Sequence, residues 1–309
     1  MPRTRRARLG ALTTVLSVVA ASASAYTPPR LDDGRPDLQG NWVAYNRTPL
    51  ARPDSLTELY ITAEQAREIE ARGHARERDL SIPNETPEFF DERRVAVIGG
   101  KLRSSIIIEP ADGKIPGTPA LREKIDAFRA QNRDDMDGPE RRPLWERCLS
   151  SWASHPPMLA IGFTNLHQIV QTRDAVVFFS ESLHDARIFR LSGTHPPAAV
   201  ASFGGASIAR WEGDSLVVET RNFAADQNRA GDFLVSSQTV IVERFTLTSP
   251  DELNYKFTIT DPEYYTRPWT GETQYLRSKE AIFEDACHEG NYSLRHILEG
   301  GRVRDGTLR

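Results

Sequence analysis

Seven histidines, with the carboxylates and arginines around them, are the groups of this chain suited to moving protons near neutral pH. The densest grouping is Glu181-Ser182-Leu183-His184-Asp185-Ala186-Arg187, at the turn between two apolar runs. His184 there has the type and place of a general base. Arg187 has those of an electrostatic partner for developing negative charge. Glu243, inside another apolar run, is the second candidate base. His167 opens a run of its own, and His288-Glu289 follows Cys287. His74 lies in a charged helical pattern, His155 and His195 precede prolines in loops, and His296 falls in a terminal helix. These four read as structural or solvated.

Other chemistries find less support. His184, Asp185, His288 and Glu289 could in principle gather around a metal, but no compact pair such as His-x-x-x-His is present, so no metal is assigned. No Gly-x-Ser-x-Gly elbow occurs, and Gly204-Gly205-Ala206-Ser207 sits in a β context. Phosphate and dinucleotide loops are missing as well, so no cofactor is expected. What remains is metal-free acid–base work of lyase, isomerase or hydrolase type, with His184 or Glu243 as base and Arg187 beside it.

Strands must hold these groups. From Met158 onward, short β-rich runs recur: His167–Thr172, Ala175–Glu181, Ala186–Leu191, Ala206–Trp211, Leu216–Phe223, Thr239–Leu247, Glu252–Thr260 and Glu272–Ser278. Their connections are turn-like (Arg173-Asp174, Glu212-Gly213-Asp214, Ser249-Pro250-Asp251), and no long amphipathic helix separates them, which argues against parallel crossovers. Such a succession must bury its edges. The expected fold is therefore mainly β, an antiparallel barrel or a curved sandwich, with a helical and irregular N-terminal wrap. The divisions are residues 1–25, a wrap over 26–150 and a β domain over 151–309, the last two forming one folding unit. Within the wrap, the box Thr62…Gln65 opens a helix near Ala63–Arg76, and Thr118-Pro119 opens another over Ala120–Asn132. Thr86-Pro87 starts a shorter one, and Ser105–Glu109 reads as a strand.

Strand parity then says which charges point inward. In Glu252–Thr260, Leu253, Tyr255, Phe257 and Ile259 share one face. Its hairpin partner offers Phe245 and Leu247 to the same core, which places Glu243, Ile241 and Thr239 there too and Arg244 outside. By the same count Arg187 shares a face with Phe189, Glu219 with Val217 and Phe223, and Glu181 continues an apolar face. Inward charges must pair or line a wet cavity. Alternatives stay open: a β-bulge that reverses parity and returns Glu243 or Glu219 to solvent, structural ion pairs under the N-terminal segment, or a cavity in which Glu181, Glu219, His167 and His288, with Trp211 and Trp269, contact a small apolar or aromatic molecule.

Arg3, Arg5, Arg6 and Arg8, the apolar Leu9–Val19 and the small-residue Ala23-Ser24-Ala25 have the pattern of a secretory signal peptide cleaved before Tyr26. The stretch is too short for a membrane span, so no membrane insertion is expected and the protein is placed in the periplasm or outside the cell. Loss of its four arginines takes the formal charge from −4 to −8, which argues against a nucleic-acid partner. In that oxidising setting the two cysteines, Cys148 and Cys287, read as one disulfide, with a thiolate role as the rival.

Several segments resemble a family of secreted bacterial proteins of no established activity. They are Pro36-Asp37-Leu38-Gln39-Gly40-Asn41-Trp42, Glu146-Arg147-Cys148-Leu149, Arg210-Trp211-Glu212-Gly213-Asp214-Ser215-Leu216-Val217-Val218-Glu219-Thr220, Thr266-Arg267-Pro268-Trp269-Thr270 and Ala286-Cys287-His288-Glu289-Gly290-Asn291-Tyr292. The resemblance implies one secreted domain and assigns no catalytic residue. A likeness to lipocalin-type barrels is one of architecture alone. The expected function is small-molecule acid–base catalysis. The alternative is a non-catalytic periplasmic binding or carrier protein for a hydrophobic ligand.

Overall fold

Alternation on the strands closes into a barrel. The computed structural model describes residues 26–307 apart from 45–46, 81–93, 152, 160–164, 225–226 and 230–232, so the signal-peptide segment and the helix expected at Thr86-Pro87 lie outside the described residues. In chain order the strands are β1 (Gly40–Val43), β2 (Val97–Ile98), β3 (Lys101–Leu102), β4 (Ile107–Glu109), β5 (Leu166–Gln171), β6 (Ala175–Ser180) and β7 (Asp185–Arg190). Then follow β8 (Ala206–Glu212), β9 (Ser215–Arg221), β10 (Gln227–Arg229), β11 (Phe233–Val235), β12 (Val240–Ser249), β13 (Glu252–Thr260) and β14 (Trp269–Ser278). The barrel has nine strands in the order β1-β5-β6-β7-β8-β9-β12-β13-β14, and β14 returns to β1.

Two features depart from the expected pattern. Strand β1, from the segment read as a wrap, is the closing stave: Asn41 pairs with Gln168 of β5 and with Ser278 of β14. β4 extends the same edge of β14, so position 150 is no structural boundary. Secondly, the ladder is not antiparallel throughout. β7 and β8 run parallel and meet at Arg190 and Ile208. The irregular connection between them, which contains Pro196-Pro197 and Gly204-Gly205, carries the chain back to the end where β7 began instead of turning a hairpin.

Parity sets the lumen. The rows Ile241–Ile259, Glu243–Phe257, Phe245–Tyr255 and Leu247–Leu253 pair directly and point inward. Aromatic rings fill the interior: Phe178 lies 4.7 Å from Phe245, Phe245 4.9 Å from Tyr255, and Tyr255 5.6 Å from Phe257. Gly271 faces inward beneath Phe257, where any Cβ would stand 2.3 Å from that ring. Phe257 thus occupies the space a side chain at 271 would need.

The helices form as their caps dictate. Thr62 and Gln65 exchange the reciprocal bonds of a capping box at the start of α1 (Ala63–Leu80), and the Leu121 N–H donates to the Thr118 hydroxyl at the start of α2 (Pro119–Asp134). Asn291 caps α3 (Tyr292–Arg304), and its side-chain amide reaches the Glu146 carbonyl and the Cys148 sulfur. No described helix is long and apolar enough to cross a membrane.

Cys148 and Cys287 form a disulfide, with Cα atoms 5.9 Å apart and a sequence separation of 139. Thermal unfolding with and without reductant checks its weight. A Cys148→Ala/Cys287→Ala variant is expected to lose about 2–5 kcal/mol, read as a melting point several degrees lower, because a long loop in the unfolded chain is released.

Candidate functional site

Two polar clusters lie on the inward face of β7, one within the barrel and one at its mouth. The inner cluster centres on Arg187, which crosses the lumen to Glu243 of β12: Nη1 donates to Oε1 at 2.9 Å and Nη2 to Oε2 at 2.5 Å. Nη2 also reaches the Thr220 hydroxyl of β9 at 3.3 Å. The Tyr255 hydroxyl donates to Glu243 Oε1 at 2.8 Å. Glu243 is fully buried, and the guanidinium stacks on the Phe189 ring at 4.7 Å. Burial works against charge on Arg187, but the Glu243 carboxylate outweighs it and raises the guanidinium pKa. Burial first, then Glu243, holds the Tyr255 phenol well above its usual range. Both carboxylate oxygens are occupied, so this cluster is a paired charge in a filled core, although the buried Arg187 Nε has no hydrogen-bond partner among the described residues.

His167 sits one layer nearer the mouth. It pairs across the sheet with Ser180, its Nδ1 lies 2.8 Å from that hydroxyl, and its ring meets Tyr275 edge-on at 5.4 Å. Burial, then the positive charge of Arg187, lowers its pKa to about 3, so the imidazole is neutral in the native barrel.

The mouth cluster was not singled out by sequence. The irregular segment after Cys148 plugs the end of the barrel: the Met158 N–H donates to the Tyr255 hydroxyl at 3.0 Å, and the Tyr275 hydroxyl donates to the Met158 carbonyl at 3.0 Å. Within this plug the Ser150 hydroxyl bonds to His155 Nδ1. His155 Nε2 lies 3.0 Å from Asp185 Oδ2, at the first residue of β7. Asp185 shares a face with Arg187, roughly 7 Å further along the strand. Burial opposes its ionisation, but His155, the Ser154 hydroxyl and the Ala186 N–H together bring its carboxyl below the usual range. A carboxylate on Nε2 assigns the proton to that nitrogen and leaves the Nδ1 lone pair for the Ser150 O–H. Ser150 and His155 are buried, whereas the Asp185 side chain is 30% exposed.

Distant segments hold the two halves in place. Cys148, Leu183 and His184 all have left-handed backbones, with φ of 56°, 57° and 54°. The strap leading to Cys287 pins the second corner: the Phe283 N–H donates to Glu181 at 3.1 Å and the Leu183 N–H to Asp285 at 2.8 Å. The disulfide pins the first.

The remaining candidates disperse. His184 is exposed, its ring 4.9 Å from Phe179 on the outer side, so it does not join Arg187 and Glu243. His288 is exposed. Glu219 points outward to Arg221 at 2.7 Å and His195 at 3.2 Å; burial opposes its charge, but these partners prevail and lower its pKa. Glu181 is occupied by the strap. Trp269 is buried in the aromatic core, and Trp211 lies half-buried on the inward face of β8. A surface groove of about 340 Å³ runs along α3, lined by Leu294 and Leu298 with Arg295, Glu299 and Arg302.

Two measurements test these assignments. Glu243→Gln is expected to cost about 3–5 kcal/mol in denaturant unfolding, because Arg187 is left charged in the core, while Arg187→Met/Glu243→Leu recovers most of that loss. For His167 the unfolded chain takes up a proton below pH 6.5 and the native barrel does not. Stability therefore falls by about 1.4 kcal/mol per pH unit as pH drops from 6.5 toward 3. His167→Gln removes that one-proton slope from the stability profile.

Comparison of the chain with protein-family models, curated proteins and solved structures returned no match.

Proposed function

We propose that the protein is a secreted enzyme that performs metal-free acid–base chemistry of the hydrolase type on a small apolar or aromatic molecule. His155 transfers the proton, and Asp185 orients the imidazole and stabilises its cationic form. One observation carries this reading: a single histidine joins a hydroxyl to an ionised carboxylate at the mouth of the barrel. That chain of contacts gives the ring a fixed tautomer, an acceptor nitrogen already on a hydroxyl, and a counter-charge for the proton it takes. A hydroxyl at the base favours hydrolysis over elimination or isomerisation.

The other sequence candidates serve differently. The Arg187–Glu243 pair has no free oxygen for proton transfer and acts as a structural tie. The carrier reading asks for an apolar lumen, and the stacked rings of Phe178, Phe245, Tyr255 and Phe257 occupy that space. Secretion rests on the pattern of residues 1–25, the disulfide and the resemblance to a secreted family.

Turnover of a panel of small aryl esters, lactones and amides tests the proposal. His155→Gln and Asp185→Asn, each with native circular dichroism, are expected to lower the rate about 10²–10⁴-fold. His184→Gln, on the exposed outer corner, should leave it unchanged. Full activity in the first two variants overturns the assignment.

A further inference from the structure

Four serines crowd the mouth of the barrel, and their hydroxyls differ in what they face. Ser182 donates to Ser151 at 2.7 Å, so that pair is mutually engaged. Ser154 is taken up by the Ser151 carbonyl at 3.4 Å and by Asp185. Ser150 alone of the four is directed at the imidazole, on the nitrogen opposite the one Asp185 holds. The arrangement is hydroxyl, imidazole and carboxylate in line, with the ring nitrogens exchanged relative to the usual serine hydrolase order.

We infer that Ser150 is a nucleophile that forms a covalent acyl-enzyme with small carboxylic esters; this rests on the acid–base role proposed for His155. The Ser150 Oγ attacks the ester carbonyl carbon while its proton passes to His155 Nδ1. The C–O bond to the alcohol then breaks, and the same proton leaves with the alcohol. Water attacks the Ser150 ester and gives a proton to His155. Collapse releases the carboxylic acid and returns that proton to the Ser150 oxygen. Atoms and charge balance with water as the only co-reactant. Burial sets the preference: Ser150 is 5% exposed and His155 8%, so small acyl groups are favoured over large ones. Asp185, 30% exposed, is the more solvent-facing end of the array.

Local geometry supports a positioned nucleophile. Cys148 has positive φ, the His155 N–H donates to the Ser151 carbonyl at 3.2 Å and the Ala153 N–H to the Ser151 hydroxyl at 3.1 Å. Both bonds hold the backbone on either side of the Ser150–His155 contact. Gly204 packs against the ring, where a Cβ would stand 3.0 Å from Nε2, so that edge is enclosed while Nδ1 keeps its hydroxyl.

Methanesulfonyl fluoride, a small serine-directed reagent, is the probe, read by intact mass and peptide mapping alongside hydrolysis of 4-nitrophenyl acetate. The expected result is one sulfonyl group on Ser150 and loss of esterase turnover in the labelled protein. Asp185→Asn should slow labelling by about 10²–10⁴-fold, and Ser150→Ala should lose both label and turnover. Mapping the label on the wild-type chain needs no variant, so a poorly folding substitution does not stall the test. Esterase turnover that persists in Ser150→Ala, with no label on Ser150, overturns the nucleophile and leaves the acid–base reading of His155 standing. Neither label nor ester, lactone or amide turnover in the folded wild-type protein overturns both.

Discussion

A side chain closes this barrel where the backbone nearly fails to. Between β7 and β8 the ladder narrows to the single partnership of Arg190 with Ile208, while the neighbouring pairs run over six or seven residues. Arg187 leaves β7 on one side of that seam and bonds to Thr220 of β9 and Glu243 of β12 on the other. A buried ion pair is weak evidence for stability when hydrophobic residues could replace it, but breaking one member leaves an uncompensated charge. Here the pair also fixes which strands face one another across the lumen. The aromatic stack beside it, from Phe178 to Phe257, then packs against a wall whose spacing has been set.

How much of this was legible in the chain depended on whether a rule of local periodicity applied. On β13 the alternation of Leu253, Tyr255, Phe257 and Ile259 is unambiguous, and a tight turn transfers it to β12, so Glu243 could be placed inside the core from spacing alone. The same count failed for Glu219 because β9 carries apolar residues on both faces. Val217 is buried although it shares a face with the outward Glu219, and period two then has no sign. β1 was hidden for another reason. Four residues with one tryptophan become a strand only because β5 and β14 offer free edges on both sides.

The site at the mouth had no periodic signal at all. Ser150 and His155 lie five apart in irregular chain, before two prolines, and meet Asp185 only through the fold. The turn Glu181–Arg187 looked richer because its charges are dense in sequence. In three dimensions that density is divided: Asp185 and Arg187 turn inward, His184 turns out, and Glu181 is claimed by the backbone at Phe283. Density along a strand measures proximity poorly when successive side chains point to opposite faces.

The pairing of β1 with both β5 and β14 has a consequence for the order of events in folding. Residue 41 cannot find residue 278 until everything between them has been made, and the seam at β7–β8 offers little to hold a partial ladder meanwhile. Local hairpins such as β12–β13 can form early, but they leave two raw edges that wait for one another. Such a topology delays closure until β14 has been made and leaves open edges exposed to aggregation until the last stave is seated. A protein built this way gains from any process that keeps it extended until β14 has been made.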